Sequence, residues 1–401
     1  MKNINIIKNV KETDLSLHII NRDDANFLLA SQKTRLENSK RVFNSLLRKN
    51  MNSRVIIKND KCESKQIEPS YLIKLEDPTL VHSNINKDDY ILFYPCNTSI
   101  TKYNDDYILN VRFVNYWLTM DNENNEIYYT GKFKDEEKVF ITTNKYIKLN
   151  SNFEVLESKF MDVDFGEIEE RIKLRKYHSN EGSDIVMGLE DVRLFKYGEY
   201  SIKYLGSKKI TKNELLVVSG DYNYNDFNDC FILNRNNLKN INDSKKQMTI
   251  CEKNWTFVEV NGELNVVYKW YPIQLCKIDD SKSLILNKEI HPPPFFEKMR
   301  GSTCGCSFQN KIWFVTHFVN WEVDPNKKYY HVFVIFDTDF NLLKYSQPFT
   351  FESLKIEFCI GLVIEEHRLI LTYSTNDSSS KLAVYDREKL INSLKWKILK
   401  Q

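Results

Sequence analysis

The sequence lacks the features that mark membrane, secreted and nucleic-acid-binding proteins. It has 57 basic and 55 acidic residues, and a formal net charge of +2 provides no strongly basic surface for nucleic acid or an anionic membrane. No apolar run approaches the roughly 20 residues that cross a bilayer as a helix. The N-terminal stretch MKNINIIKNVKETD has neither the long apolar segment nor the small-residue cleavage site of a signal peptide. We therefore expect a cytoplasmic protein with no nucleic acid and no membrane span among its partners.

Disulfide and metal-binding patterns are also missing. The eight cysteines are scattered, and none of them forms a CxxC pair. Cys304 and Cys306 are close in sequence but lack a His or Cys partner at zinc-finger spacing. Several other cysteines lie in apolar runs, where a free thiol acts as a small hydrophobic side chain. The sequence predicts reduced thiols and no metal ion.

The chain does contain a large apolar and aromatic fraction. Hydrophobic residues make up 42% of it, with 24 Phe and 22 Tyr, which is enough to build a sizeable core. Aromatic side chains favour strands over a helical bundle. From residue 86 to residue 401 the sequence consists of short β segments separated by turns rich in Asn, Asp and Lys. This main domain is predicted to be all-β.

The first 85 residues follow a different pattern. Apolar residues in the stretch 23–50 recur at roughly helical spacing, and Asp23 or Asp24 can cap the start of the helix. The sequence therefore predicts a partly helical extension over residues 1–85. We expect it to pack on the main domain or to make a homo-oligomer with a second subunit.

A repeated unit organises the main domain. Each copy is a polar or glycine-containing motif, followed by a turn and a strongly apolar strand. Several of the 11 glycines fall within these copies, where backbone turns sharply or approaches another group closely. Five hairpin units predict a five-bladed β-propeller, and a β-sandwich with coincidental hairpins is the alternative. The copies span residues 96–117, 188–207, 253–272, 300–321 and 356–377.

The second unit contains an unusual cluster of charges. In MGLEDVRLF, residues 187–195, a Glu-Asp pair and an Arg lie within a segment that otherwise reads as a strand. Charged residues rarely enter apolar runs unless they are paired or functional. A β-turn with a surface ion pair would explain an isolated EDxR motif. In a propeller, however, polar residues at the ends of inner strands gather around a central pocket, which favours a functional role.

The second, fourth and fifth units together resemble the five-bladed propeller of glycoside hydrolase family 130 and the related glycosyltransferase family 108, which are mannoside phosphorylases and mannosyltransferases. GLEDVR matches the family motif Gly-x-Glu-Asp-Pro-Arg except for Val192 at the proline. RGSTCGCSFQNKIWFVTHFV is similar to a glycine-rich stretch followed by a strand that ends in Tyr-His, with Thr316 in place of Tyr. NTSI and LTYSTND are similar to two further family segments. The resemblance spans residues 90–390, with the motifs in the same order.

This resemblance implies a role for each matching residue. Family members make or break mannosidic bonds with inversion, and Asp191 would be the proton donor. Phosphate is already an anion, so a phosphorylase needs no general base but does need cations to hold it. No cofactor is expected, because inorganic phosphate, a sugar phosphate or a nucleotide sugar would be a substrate. The implied phosphate ligands are Arg300, His317, Lys269 and Lys253. The implied sugar ligands are Glu190, Arg193, which would also orient Glu190, Arg112, Asn115, Asp377 and Tyr373.

Several of these residues also have a purely structural explanation. His317 ends an apolar strand, where a histidine is commonly a core residue with satisfied hydrogen bonds. Arg300 can cap a turn, Lys269 can lie exposed at a blade rim, and Asp377 can make an Asx-turn. The aromatic residues that could stack on a sugar ring, or serve packing alone, are Trp117, Trp255, Trp270 and Tyr271.

The sequence favours a glycosyltransferase or phosphorylase over two other classes. Lys269 stands where the family has an Arg, and a point charge in place of a bidentate fork leaves room for a nucleotide-sugar or sugar-1-phosphate donor. No Asp-x-Asp metal motif of the usual nucleotide-sugar transferases stands out at a strand end. A hydrolase on the same scaffold would need a second carboxylate, for which Glu357 and Asp377 are the candidates. A non-catalytic glycan-binding propeller would not need an acid opposite a cationic cluster.

Overall fold

The computed structural model describes ten stretches of the chain between residues 64 and 399. The helix predicted within residues 23–50 lies outside the described residues. The described stretches are residues 64–82, 90–120, 126–130, 139–161, 165–177, 185–211, 214–222, 231–233, 250–320 and 328–399.

The described strands form five sheets of four or more strands and a two-stranded ribbon, in which Tyr116–Met120 pairs with Glu126–Thr130. Each large sheet contains one of the five sequence units, and the strands of each unit pair as an antiparallel hairpin. The first strands of the first, second, third and fifth units contact one another, as the inner strands of a propeller do. The predicted all-β, five-bladed β-propeller is therefore confirmed, and each sheet is a blade.

Blades 1, 2 and 3 follow one another along the chain. Blade 1 consists of Thr79–His82, Tyr90–Tyr103, Asp106–Val114, Val139–Leu149, Val155–Phe160 and Ile185–Met187. Blade 2 consists of Leu189–Tyr197, Ser201–Thr211, Glu214–Asp221, Phe231–Ile232 and Ile250–Cys251. Blade 3 consists of Thr256–Val260, Glu263–Trp270, Ile273–Ile278 and Leu284–Ile290.

Blades 4 and 5 combine strands from both ends of the described chain. Blade 4 consists of Lys65–Gln66, Arg300–Gly301, Cys306–Phe308, Lys311–Asn320, Lys328–Asp337, Leu342–Ser346, Phe349–Thr350 and Trp396–Ile398. Blade 5 consists of Tyr71–Lys74, Glu357–Ile364, Arg368–Thr375 and Ser379–Asp386. The described helical segments are the α-helices Phe165–Tyr177 and Arg387–Ser393 and the 3-10 helix Pro294–Lys298. None of these described helices has the length and apolar character needed to span a membrane.

The segment before blade 1 ties the ring of blades together. Lys65–Gln66 pairs in parallel with blade 4, and Tyr71–Lys74 pairs antiparallel with the last strand of blade 5. Thr79–His82 then pairs with the first long strand of blade 1. These three strands belong to the propeller, which corrects the boundary that the sequence suggested for an extension over residues 1–85.

Strand alternation lets blade 1 present polar groups to blade 2. In Asp106–Val114, the odd-numbered residues from Tyr107 to Phe113 are fully buried in the apolar core of blade 1. Side chains alternate between the two faces of a strand. Asn110 and Arg112 therefore project from the opposite face, where they are 0% and 5% exposed. Because these polar side chains are buried, they require partners from the neighbouring blade.

The inner strand of blade 5 has no room for a side chain at Gly361. A Cβ atom there would lie 2.0 Å from Thr372 Oγ1 and 2.9 Å from the backbone nitrogen of Ile100 in blade 1. We predict that Gly361→Ala lowers the free energy of unfolding by about 2–4 kcal/mol, because the two blades must separate to admit the methyl group. Gly198→Ala is the control, since Gly198 faces open space at a φ of 68° and should lose only about 1 kcal/mol to backbone strain. Urea denaturation measures both losses, and equal values would contradict the prediction.

Candidate functional site

One end of the propeller collects the predicted site residues. In each blade the start of the inner strand lies beside the end of the next strand, because the two pair antiparallel. Asp191 and Arg300 lie at the starts of inner strands. Arg112, His317 and Tyr373 lie toward the ends of the adjoining strands. We call this end of the propeller the charged end.

A bulge in the inner strand of blade 2 places two carboxylates at the charged end. Pairing with the next strand slips between Glu190 and Arg193, which defines a β-bulge. Within the bulge, Asp191 has a φ of 51°, in the left-handed region that few non-glycine residues adopt. Gly188 has a φ of 92° and packs so closely on blade 1 that a Cβ atom would lie 2.1 Å from Thr142 O. The bulge explains why charged residues interrupt an otherwise apolar strand.

Asp191 is held by two side chains of blade 1. Arg112 Nη1 donates to Asp191 Oδ1 at 2.9 Å, and Asn97 Nδ2 donates to the same oxygen at 2.7 Å. Arg112 Nη2 lies 3.7 Å from Glu190 Oε1, so one guanidinium balances both carboxylates. The same Nη2 donates to the Tyr116 hydroxyl at 3.3 Å. These bonds provide the additional polar partners that a buried ion pair requires.

Asp191 is ionised in the unliganded protein. Burial alone would raise the pKa of its carboxyl. The charges of Arg112 and Arg193, the hydrogen bond from Asn97 and the charge of Lys253 together lower the pKa below its ordinary value of 3.8. The side chain, which is 15% exposed, is therefore a carboxylate at neutral pH. In this state it accepts a proton rather than donating one.

Arg193 joins three blades instead of orienting Glu190 as predicted. Its Nε donates to Ser302 O at 2.7 Å, its Nη1 to Asp191 O at 2.9 Å and its Nη2 to Asn254 Oδ1 at 3.1 Å. The side chain is 1% exposed. Arg193 therefore ties blade 4 and the start of blade 3 to the bulge of blade 2, and it supports the site from beneath.

Arg300 and His317 are direct neighbours across two strands of blade 4. His317 is 2% exposed, and its Nδ1 shares a 2.8 Å hydrogen bond with Ser302 Oγ. Burial, followed by the charges of His331 and Arg300, lowers the pKa of His317 well below 6.5. The imidazole is neutral at neutral pH, which corrects its expected place among the cations. It can offer an anion a hydrogen bond but not a positive charge.

Lys253 precedes Asn254, which accepts a hydrogen bond from Arg193 Nη2 at 3.1 Å. Burial has the largest effect on the pKa values of both Asp191 and His317, and the charge of Lys253 adds a lowering contribution to each. Lys253 is exposed and so is accessible to a ligand. The other predicted lysine, Lys269, has its Nζ 5.3 Å above the ring of Tyr268.

Two predicted sugar ligands, Asn115 and Tyr373, form hydrogen bonds within the protein through their polar side-chain atoms. Asn115 Nδ2 donates to Val139 O and its Oδ1 accepts from Ile141 N, both at 2.8 Å. Asn115 thus joins two strands of blade 1. Tyr373 is 1% exposed and donates its hydroxyl to Glu352 Oε1 at 2.8 Å. Neither geometry supports the predicted sugar contact.

Glu357, a candidate second carboxylate, is a loop anchor. It is 0% exposed and accepts the backbone N–H groups of Phe351, Glu352 and Leu354 at 2.7–2.8 Å. Burial raises the pKa of this carboxyl, although the three hydrogen bonds oppose the shift. A fully buried carboxylate with its oxygens committed to backbone groups is poorly placed to activate water.

Asp377 lies in a hairpin turn at the rim of the charged end. Asn376 and Asp377 have φ values of 51° and 49°, and Ser378 N donates to Thr375 O at 3.2 Å, as in a type I′ turn. Burial raises the pKa of the Tyr116 phenol, and the negative charge of Asp377 raises it further. The turn therefore brings the Asp377 carboxylate near the blade 1 side of the site.

The aromatic candidates for sugar stacking are placed differently from one another. Trp255 and Trp270 are 2% and 3% exposed and pack in the core. Tyr271 is 42% exposed and is the candidate that the structure leaves outside the core. The side chain of Trp117 lies outside the described residues.

The sequence reasoning overlooked Asn97, which contacts Asp191 directly. Asn97 also accepts a hydrogen bond from Ser374 Oγ, so it links blades 1, 2 and 5 at the charged end. Its signal was present in the NTSI segment, whose polar residues follow the apolar stretch YILFYPC. The other polar contributors that the sequence reasoning missed are Asn254 and Ser302, both partners of Arg193.

The chemistry of the charged end suits a ligand that carries both an anion and hydroxyl groups. Lys253 and Arg300 supply positive charge, while Glu190 and Asp191 supply acceptors for hydroxyl groups. Within the described stretches, no group of three or more His, Cys, Asp or Glu side chains is arranged to hold a metal ion.

Comparison with known proteins supports the fold. No protein-family model matches the chain, and no curated protein matches it significantly. A glycosyl hydrolase from Bacteroides ovatus shares the fold at 15% identity and a TM-score of 0.50, covering 81% of this chain and 94% of that chain. A β-1,2-mannobiose phosphorylase from Listeria innocua gives 11% identity and a TM-score of 0.47 over 79% and 99% of the two chains. A mannose phosphorylase from Leishmania mexicana, solved with phosphate, gives 11% and 0.42 over 77% and 88%. At these identities the similarity to the first of these structures supports the fold alone, and the chemistry must be argued from the residues of this chain.

We predict that Arg112→Met raises the pKa of Asp191. Arg112 opposes the effect of burial, so its removal leaves burial to favour the neutral acid. The measurement is a pH titration of carboxyl carbons in ¹³C-aspartate-labelled protein, with the resonance assigned through Asp191→Asn. Arg368→Met is the control, because Arg368 pairs with Glu365 at the opposite end of the propeller. An unchanged titration in Arg112→Met would show that the ion pair does not set the charge of Asp191.

Proposed function

We propose that this chain is a carbohydrate-active enzyme that transfers a glycosyl group between a phosphate-bearing donor and a glycan acceptor, with inversion. The transferred sugar is mannose by the sequence resemblance. The enzyme is then a glycosyltransferase or a glycoside phosphorylase, two classes that run the same reaction in opposite directions. Asp191 exchanges the proton, and Lys253, Arg300 and neutral His317 bind the phosphate.

The observation that carries this proposal is the hydrogen-bonded link between Asp191 and His317. Arg193 donates to Asp191 O and to Ser302 O, and Ser302 Oγ shares a hydrogen bond with His317, the neighbour of Arg300. A carboxylate and a group of anion ligands therefore share one space. An inverting transfer needs this arrangement, because the phosphate and the acceptor oxygen occupy opposite faces of the sugar ring.

The charge of Asp191 is the one that the synthetic direction requires at its start. In synthesis, the acceptor hydroxyl attacks the anomeric carbon and gives its proton to the Asp191 carboxylate. The bond from the anomeric carbon to the phosphate oxygen breaks, and its electron pair leaves with the phosphate. Asp191 must be ionised for this step, as the lowered pKa makes it in the unliganded protein. In phosphorolysis it must first be protonated, and a bound phosphate assists by offsetting the cations that lower its pKa.

Two other groups supply sugar binding in this proposal. Glu190 has a 25% exposed side chain whose position is fixed by the ion pair with Arg112. Its carboxylate can accept hydroxyl groups of the transferred sugar. Asp377 at the rim and the exposed ring of Tyr271 are available to the acceptor.

Hydrolysis is the second candidate function. It would require a carboxylate to activate water opposite Asp191. Asp377 is the residue that favours hydrolysis, because its negative charge raises the pKa of Tyr116 on the blade 1 side of the site. Glu357 is not a candidate, because its carboxylate binds the backbone of its own loop. A hydrolase would release sugar without phosphate, whereas the proposed transferase would not.

The test is phosphate release from mannose 1-phosphate with a panel of manno-oligosaccharide acceptors, repeated with GDP-mannose as donor and GDP release as the readout. We predict activity in the wild type and a loss of about 10²–10⁴-fold in Asp191→Asn, the range expected for a proton-transfer group. Asp106→Asn is the control, since Asp106 pairs with Lys148 away from the charged end. Wild-type inactivity with both donors, or full activity in Asp191→Asn, would overturn the proposal. Wild-type inactivity with both donors would leave a hydrolase or a binding-only propeller, whereas full activity in Asp191→Asn would mean that another group exchanges the proton.

We predict that Lys253→Met raises the KM for the phosphate-bearing donor by about 10- to 100-fold with a smaller change in kcat, because a charge-assisted contact to phosphate is lost. Lys102→Met is the matched control, since Lys102 pairs with Glu365 at the opposite end. Steady-state kinetics at fixed acceptor concentration separate the two constants. An unchanged donor KM would exclude Lys253 from the phosphate site.

A further inference from the structure

A chain of buried hydrogen bonds leads from blade 2 through blade 1 to the bulge that carries Asp191. Tyr222 donates its hydroxyl to Asn110 Oδ1 at 3.0 Å. Asn110 Nδ2 donates to Asn144 Oδ1 at 2.8 Å. Asn144 Nδ2 then donates to the backbone oxygen of Leu189 at 3.0 Å. Leu189 lies between Gly188 and Glu190, at the entry to the bulge.

The hydrogen bonds of this series all run in one direction, from Tyr222 to Leu189. Each asparagine accepts through its oxygen and donates through its amide nitrogen, so reversing either amide breaks the bond between Asn110 and Asn144. Burial raises the pKa of Tyr222 well above 10.0, so its phenol stays protonated and remains a donor. The two asparagines are 0% and 3% exposed, so water cannot replace a lost partner.

The environment makes these bonds costly to lose. Leu189 packs between the blades with Ile108, Tyr146 and Val192 in an apolar cluster. Within that cluster, the oxygen of Leu189 depends on Asn144 for its side-chain partner. Loss of the Asn144 amide would remove this buried hydrogen bond and would favour a shift of the backbone toward another donor.

The same blade 1 strand also fixes both sides of the Asp191 ion pair. Thr142 blocks movement of Gly188 on one side, since even a Cβ atom would lie 2.1 Å from its backbone oxygen. The hydroxyl of Thr142 accepts from Arg112 Nη2 at 3.3 Å. Asn144, two residues further on, holds the backbone of Leu189. Strand Val139–Leu149 thus positions the guanidinium directly and the carboxylate through the bulge.

We propose that Asn144 is a positioning residue for the proton-transfer step, and that it acts by fixing the Leu189 carbonyl so that the bulge presents Asp191 to Arg112 and the bound sugar. This role rests on the proposed function. It extends that function to a residue that acts through the Leu189 carbonyl. Tyr222 and Asn110 orient the Asn144 amide and contribute to a smaller degree.

The competing explanation is that this series of hydrogen bonds only stabilises the contact between blades 1 and 2. Stability alone cannot separate the two, because loss of a buried hydrogen bond lowers stability in either case. A displaced Asp191 would instead change its distance from Arg112, and therefore its titration. It would also lower kcat while leaving donor binding by Lys253 and Arg300 in place.

The test compares Asn144→Ala with Asn265→Ala. Asn265 is a matched control because it is 0% exposed in blade 3, donates to Glu263 O at 2.9 Å and accepts from Asn287 at 3.3 Å. We expect Asn144→Ala to raise the pKa of Asp191 in the ¹³C-aspartate titration and to lower kcat by about 10- to 100-fold with little change in donor KM. We expect Asn265→Ala to lower the melting temperature without either effect. Tyr222→Phe keeps the ring volume and should move the same two quantities in the same direction by less.

The titration decides the proposal independently of turnover. An unchanged Asp191 titration in both Asn144→Ala and Tyr222→Phe overturns the positioning role, even if the wild type is an active transferase. If the wild type is inactive on every donor, the proposed function is wrong. A raised pKa of Asp191 in Asn144→Ala would still support the proposal that Asn144 fixes the bulge. Should Asn144→Ala fail to fold, Tyr222→Phe carries the same comparison.

Discussion

The ion pair between Arg112 of blade 1 and Asp191 of blade 2 imposes the requirements that shape the charged end. Two charges removed from water are stabilised only if their geometry is good and their other polar atoms have partners. Asn97 provides the second bond to Asp191 Oδ1, and the Tyr116 hydroxyl accepts from Arg112. The left-handed backbone of Asp191 turns its carboxylate toward these partners, at a cost in local strain that the surrounding packing must offset.

The same pair decides which chemistry the site can perform. Because Arg112 keeps Asp191 ionised, the resting protein holds a proton acceptor beside a set of anion ligands. His317 belongs to that set as a neutral donor, and only Lys253 and Arg300 bring it positive charge. In the proposed function, donor phosphate and acceptor hydroxyl would meet different groups in one space. Arg193 lies beneath these groups, and its guanidinium joins three blades through hydrogen bonds.

The sequence predicted the blades well because each inner hairpin is local, with a polar start, a turn and an apolar return strand. The bulge was not predictable, since the left-handed conformation of Asp191 depends on the close contact of Gly188 with another blade. Asn115 was misassigned because a buried asparagine looks the same in sequence whether it binds sugar or backbone. Asn144 was overlooked because only the fold brings its amide to the Leu189 carbonyl.

The most direct measurement is a titration of the Asp191 carboxyl with and without inorganic phosphate. If phosphate binds beside Lys253 and Arg300, its negative charge offsets the cations that lower the pKa of Asp191, and the pKa must rise. A rise that is present in the wild type and absent in Lys253→Met would establish that the proton-transfer group and the anion share one site. A pKa of Asp191 that does not change at saturating phosphate would contradict the central claim.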